Sequence, residues 1–339
     1  MKPMVVLPLL AALFAPHMAQ AQTPEALYEA AKKEGLVTWY SVILGDEAAL
    51  PMARAFEARY PGLKVDHQRG NTGVNAKKII DEARAGKALG DVFDGSTTVV
   101  PLLEAGLVEP FIAPAAADIP EKYRDPQGRW SAVLLEFLTI GYDVDAVAPA
   151  DVPKSRMDLL DPKWRGKMIW SHSPGLTGGA GFVANILMDM GEASGTDYLT
   201  RLKAQNITAY KGDGHSVIGQ IAAKKFALGL QIFNHHTLIE RGRGHNIQWA
   251  KMEPILSFSN NIGLVRGAPH PNAAKLFINF VLSPEGQAII RDGRHIPASD
   301  SVDALEPDLK KGFRVNYVSP VMAAEKMKGW HAAYSKIFD

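Results

Sequence analysis

The chain has 339 residues, 47% hydrophobic and 22% charged, with no cysteine and a formal charge of +1. That composition fits a folded protein of one large or two medium domains and excludes disordered, collagen-like and disulfide-stapled classes. The balance of 37 basic against 36 acidic residues, with no basic stretch, argues against a nucleic-acid partner, whose phosphates demand a basic surplus.

Residues 1–21 read as a secretory signal peptide: Met1-Lys2-Pro3, an apolar run from Met4 to Ala15, and Ala19-Gln20-Ala21 at the cleavage site. Removing it takes Lys2 away and leaves about 318 residues, with 36 basic and 36 acidic. The expected location is the periplasm. Beyond the leader no apolar run approaches the ~20 residues that span a bilayer, so no membrane insertion is expected. Thr23 then reads as an N-cap with Pro24 at the first helical position, followed by Leu36–Tyr40 as a strand. Next come a helix from Glu47 to Tyr60, a strand from Leu63 to His67, a helix from Thr72 to Ala85 and a strand at Asp91–Phe93. Strands alternating with helices of this length predict βαβ units on a mainly parallel sheet.

The second half continues in the same manner. Strands are expected at Lys167–Trp170, Ile207–Tyr210, Phe226–Phe233 and Asn261–Val265, and helices after Gly178-Gly179, from Ser216, over Pro271–Leu282 and from Ser319-Pro320. Two extended segments, Leu134–Ile140 and Pro254–Asn261, look like crossovers between lobes. The division expected is residues 22–133 plus 262–318 for one lobe, 134–261 for the other, and 319–339 as a C-terminal helix. Two α/β lobes on a two-strand hinge leave a central cleft, and ligands of open α/β sheets sit where strands run into helix N-termini.

The corners after those strands are rich in glycine and hydroxyls: Tyr40-Ser41, Gly70–Gly73, Asp94–Thr98 and Ser171–Gly179. Each serves equally as a helix cap or as a cradle whose N–H and O–H groups hold an anion. Gly178-Gly179-Ala180-Gly181 lacks dinucleotide-fingerprint spacing, and Gly214-His215-Ser216-Val217-Ile218 has isoleucine where a nucleophile elbow needs its second glycine. Asn234-His235-His236 follows a strand, so if the chain stays extended only one imidazole faces a cleft. Arg241, Arg243 and Arg266 are possible anion partners, Glu136 and Tyr142 possible hinge groups, and Trp39 and Tyr40 core residues or an aromatic wall. No metal-binding spacing is present, and no cofactor is expected.

Several stretches together resemble the periplasmic solute-binding proteins of ABC importers, the group of ferric-iron-binding proteins and their relatives for phosphorylated or phosphonate ligands. They are Leu27–Val37 leading to Tyr40-Ser41, Phe56–Val65, Gly90–Phe93, Leu103–Pro110, Ile140-Gly141-Tyr142, Pro269–Phe280 and Ser283–Gln287. The resemblance implies a type II two-lobed α/β protein, not an enzyme, that closes on its ligand and is then recognised by permease subunits. It also implies a tyrosine pair for iron just after the strand ending at Phe233, where this chain has His235-His236-Thr237. Ferric iron prefers anionic oxygen donors, so the expected ligand is a small organic anion: a phosphate ester, phosphonate or carboxylate. Its expected contacts are Tyr40, Ser41, Thr72, Ser96, Thr97, Ser173, Thr177, Gly178 and Gly179, with Asn234 and His236 at the far end. A monomer is expected. The alternatives are a ferric-iron-binding transport protein, a sensor subunit, or a secreted hydrolase, for which the corners offer few nucleophiles or paired carboxylates.

Overall fold

The computed structural model describes residues 24–42 and 44–339; the leader and the Thr23 cap lie outside them. In chain order the elements are α1 (Pro24–Glu34), β1 (Leu36–Ser41), α2 (Asp46–Arg59), β2 (Lys64–Arg69), α3 (Thr72–Arg84), β3 (Val92–Gly95), α4 (Val99–Glu104), β4 (Val108–Glu109) and β5 (Ser131–Asp143). There follow β6 (Met168–Ser171), α5 (Gly179–Met190), α6 (Glu192–Lys203), β7 (Thr208–Tyr210), α7 (Gly214–Ala222), β8 (Leu228–Phe233), α8 (His236–Gly242) and β9 (Ile247–Ala250). The chain closes with β10 (Ile255–Val265), α9 (Pro271–Leu282), α10 (Pro284–Asp292), β11 (Ile296–Pro297), β12 (Val315–Tyr317) and α11 (Pro320–Phe338).

One sheet carries everything, in the order β2-β1-β3-β10-β5-β8-β6-β7. Its two ends are parallel, β1 with β2 and β3, and β6 with β7 and β8. The middle is antiparallel, because β10 runs against both β3 and β5, and β5 against β8. The mainly parallel sheet expected from the alternation of elements therefore holds at the ends and fails at the centre. The two presumed crossovers are the cause: both belong to longer strands, and Pro254–Asn261 runs on past a register shift at Asn260/Asn261 into the segment read as a separate strand.

Those two strands feed two cores. From β5, Ala132–Leu135 and Phe137 join the first core, while Leu138 and Ile140 join the second. Strand β1 is buried along almost its whole length, as a strand covered on both faces must be. Trp39 packs on one side, 5.2 Å from Phe277, which meets Phe56 edge-on at 5.1 Å. Tyr40 packs on the other side, with Ile79 and Phe93. The second lobe centres on Trp170, with Phe182, Tyr334 and Phe338 at 4.9–5.8 Å. Each such ring contributes about 2–3 kcal/mol by leaving water.

Helix α1 is tied to α9 by a carboxylate that sequence reading passed over. Glu34 accepts hydrogen bonds from the backbone N–H groups of Asn272 (2.9 Å) and Ala273 (2.7 Å) and from the Asn272 amide. It thereby caps a helix that has no cap of its own. Glu34→Ala is expected to lower the unfolding free energy by about 1–2 kcal/mol. A urea midpoint that does not move would show that water replaces the carboxylate at no cost.

Candidate functional site

The carboxyl ends of β2, β6, β7 and β8 converge between the lobes on a cleft with two compartments. The larger, about 720 Å³, has Glu47, Arg69 and the Asp292–His295 turn on one side and Asp213–His215, His235, His236 and Arg243 on the other. The smaller, about 520 Å³, lies among Thr72, Ser96, Thr97, the Gly175–Thr177 loop and the first turns of α11. Thr177 lines both.

Local chemistry sets these positions. The Asn71 side chain accepts from Val74 N at 2.9 Å, which starts α3 and leaves Thr72 in its first turn. Asp213 accepts from the Ser216 N–H at 2.8 Å and hydroxyl at 2.7 Å, starting α7 at Gly214; these bonds hold its carboxyl below the usual range. Helix α7 therefore begins two residues before the expected Ser216. The Ser171–Gly178 loop is held from three directions. Ser171 Oγ donates to Gly212 O and accepts from Ser173 N, and the Gln231 amide donates to Leu176 O at 3.0 Å. Gln231 adopts a φ of +61° inside β8, a conformation that costs a non-glycine residue about 1–3 kcal/mol and clusters at functional sites.

The structure brings together Thr72, Ser96, Thr97 and Thr177 in the smaller compartment and His236 with Thr177 in the larger. The other expected contacts line neither. Tyr40 is 1% exposed and donates its hydroxyl to Glu82 at 2.6 Å. Ser41 is fully buried, and its carbonyl accepts from Gly70 N and the Asn75 amide. Ser173 accepts from Gly175 N at 3.3 Å. Gly178 and Gly179 leave no room for a Cβ, which would meet the Ser173 carbonyl and the Tyr334 ring respectively. Asn234 is fully buried and donates to Leu309 O at 2.7 Å. Of the three arginines expected as anion partners, Arg241 pairs with Glu306 at 2.7 Å and Arg266 with Glu109 at 3.1 Å, and Arg243 alone lines the cleft.

The paired histidines did not follow the extended path. His235 is already right-handed, at φ −68° and ψ −20°, and α8 begins at His236, so both rings line the larger compartment. Their centroids lie 4.7 Å apart, with His215 5.1 Å from His236 and His295 5.6 Å from His235. Burial, aided by His215, pushes the His236 imidazole down to about 3, and burial drives His235 well below its ordinary value. Both are therefore neutral at physiological pH. Among the described residues no group of three or more His, Cys, Asp or Glu is arranged to hold a metal ion.

The charges on the larger compartment balance, three guanidinium groups (Arg69, Arg243, Arg294) against three carboxylates (Glu47, Asp213, Asp292). The carboxylates are largely engaged: Asp213 caps α7, Asp292 pairs with Arg291 at 2.8 Å, and Glu47, 3.6 Å from His295, is held below the usual range by that imidazole. Arg243 donates to Glu240 at 2.7 Å, whereas the Arg69 guanidinium makes no hydrogen bond or ion pair among the described residues and acts on Glu47 through its charge. Sequence reading missed Arg69 and His295. One closes a strand whose polar pattern looks solvated, and the other reaches the cleft only through the fold.

Two α/β lobes on one sheet, presenting hydroxyls and guanidinium groups to a shared cleft, define a receptor for a solute. The chain belongs to the bacterial extracellular solute-binding protein family, whose profile matches residues 90–320. It is similar to an Fe(3+)-binding periplasmic protein of Serratia marcescens, 27% identical over 68% of this chain and 69% of that one. In structure it is similar to iron-bound HitA from Pseudomonas aeruginosa (TM-score 0.71, 23% identity, 88% of this chain and 99% of that one). It is also similar to AfuA from Actinobacillus pleuropneumoniae with fructose-6-phosphate bound (TM-score 0.70, 22% identity, 89% and 98%). The fold is thus the two-lobed type II architecture expected, and the chain is a solute-binding component of the ABC-importer kind. Among the described residues no helix is long and apolar enough to cross a membrane.

Proposed function

We propose that this protein captures a small organic anion, a phosphate ester, phosphonate or carboxylate, in the interlobe cleft and delivers it to the permease of an ABC importer. The observation that carries the reading is Thr177, shared by a compartment of hydroxyls and a compartment whose Arg69 guanidinium makes no hydrogen bond among the described residues. An anionic head among Thr72, Ser96, Thr97 and Thr177 leaves the rest of the solute to reach Arg69, Arg243 and the neutral His236. Because these groups come from both lobes, a bridging ligand stabilises the closed state, and the permease reads closure. The sugar phosphate bound to AfuA supports this class. The iron in the HitA structure fits this cleft less well, since imidazoles stand where ferric iron would want anionic oxygens. Export through cleavage after Ala21 into the periplasm, action as a monomer and a division into two lobes joined through β5 and β10 are parts of the same proposal.

A thermal-shift screen of phosphonates, sugar phosphates, carboxylates and Fe(III) tests the class, with stabilisation by one of the three anion classes expected. A visible charge-transfer band with tight binding on adding Fe(III) would overturn it. With the best anion, Thr177→Val and Ser96→Val are each expected to weaken binding by more than about tenfold, or roughly 1.4 kcal/mol. Unchanged affinity in both variants places the cradle elsewhere.

A further inference from the structure

Away from the interlobe cleft, the first lobe encloses a second cavity of about 370 Å³ between α9, the 111–116 segment and the hairpin from Arg124 to Ser131. It shares no lining residue with either compartment of the cleft. One part of its wall is hydrocarbon, from Ile262 and Leu264 of β10 and Ile278 and Leu282 of α9. At its edge Ile112 is 66% exposed.

The polar part of the wall carries donors from Arg124 and Ser131 beside two carboxylates, Glu121 and Asp125. Arg124 and Ser131 stand opposite each other in an antiparallel bridge, and Ser131 is in register with Ile262 on β10. Opposite residues of antiparallel strands put their side chains on one face, so guanidinium, hydroxyl and isoleucine look into the same space. Arg124 Nε and Ser131 Oγ are buried without a hydrogen-bond partner among the described residues, and so is Nε1 of Trp130, another lining residue. Ser131 and Trp130 are each 7% exposed.

The two lining carboxylates leave Arg124 Nε and Ser131 Oγ unmatched, Glu121 reaching only Nη2 of Arg124 in a long ion pair. Asp125 is taken by the Arg129 guanidinium at 2.6 and 2.9 Å and by the N–H groups of Gln127 and Arg129. Glu121 has a side chain 93% exposed and comes no closer to Arg124 than 3.9 Å. Buried donors are normally matched, and a group left unmatched is costly. Two such donors, Arg124 Nε and Ser131 Oγ, beside a largely apolar space are the complement of an anionic head on a hydrocarbon body.

We propose that this cavity is a second binding site, for an amphipathic monocarboxylate whose head meets Arg124 and Ser131 and whose hydrocarbon lies among Ile262, Leu264, Ile278 and Leu282. The volume falls near the low end of the roughly 300–1,000 Å³ typical of small-molecule sites. A short-chain or single-ring acid is therefore the right size.

Isothermal titration of the full chain with octanoate, octanol and octanamide tests this. Octanoate is expected to bind saturably at one site per chain, about tenfold or more tighter than either uncharged analogue. Arg124→Met is expected to lose at least that factor. Ala116→Leu, which fills the cavity without touching the charge, is expected to abolish binding, so the test survives if either variant fails to fold. Thr177→Val, in the interlobe cleft, is expected to bind octanoate like the parent. No saturable binding below about 5 mM, octanol binding as tightly as octanoate, unchanged affinity in both cavity variants, or loss of octanoate binding in Thr177→Val would each overturn the assignment. Loss of octanoate binding in Thr177→Val would place octanoate, itself a carboxylate, in the interlobe cleft; the other outcomes leave the reading of that cleft untouched.

Discussion

Glu136→Gln is expected to stabilise the protein at pH 8 by about 2–4 kcal/mol while changing little at pH 5. Glu136 sits on β5 between Leu135 and Phe137, 3% exposed, with Oε2 unpartnered and 3.6 Å from the ring of His235. Burial pushes its carboxyl up to about 8, against about 4.3 in an unfolded chain. The folded protein therefore keeps a proton that the unfolded chain releases. Its contribution is fully present below about pH 4.3 and is lost as pH rises through 8. Glutamine is neutral throughout and removes that slope. His235 acts in the opposite sense: burial keeps it neutral, so its contribution is present above about pH 6.5 and is lost as pH falls. Urea unfolding of parent and variant at pH 5, 6.5 and 8 measures both. Because the two groups oppose each other in the parent, the difference between variant and parent is the readout; a difference no larger at pH 8 than at pH 5 would show that the carboxylate finds water in the folded state.

Gly181→Val should cost more than about a hundredfold in solute affinity and lower the melting temperature by a few degrees. Gly181 lies in the first turn of α5, and a Cβ there would collide with the backbone carbonyl of Leu176. A backbone atom cannot rotate aside as a side chain can, so the whole Ser173–Thr177 loop must shift. Thr177 then leaves both compartments at once, taking with it the group that joins them. Gly219→Ala on α7 is the control, since nothing lies within 4 Å of its added Cβ. It should bind like the parent and melt no lower, alanine being the better helix former. Equal affinity in Gly181→Val and the control would mean that the loop does not position the ligand.

What could be read beforehand follows from how local the signal is. The strand Leu36–Tyr40 was legible because a glycine precedes a run of apolar and β-branched residues. The start of α3 was legible because Asn71 caps it in sequence as in space. The hydroxyl corners at Thr72, Ser96, Thr97 and Thr177 were found for the same reason, since a strand-to-helix turn announces itself over a few residues. Helix α8 was not: seven residues give too little periodicity to distinguish it from a strand's continuation. Tyr40, Ser41 and Asn234 carried suitable chemistry, but the direction of a side chain depends on what covers the strand. His215, His235, His236 and His295 meet across lobes from positions far apart in the chain, and no spacing rule reports such a meeting.

The sheet that runs through both lobes has a consequence for how the molecule can be divided. Residues of β5 belong to one core up to Phe137 and to the other from Leu138, and β10 pairs with β5 over most of its length. Cutting the chain between β5 and β10 to express one lobe alone would strip a long, apolar strand of its neighbour and leave an open edge that invites pairing with other chains. Fragments of this protein are therefore expected to aggregate rather than fold. A split version that regains solute binding would need both long strands kept on the same piece.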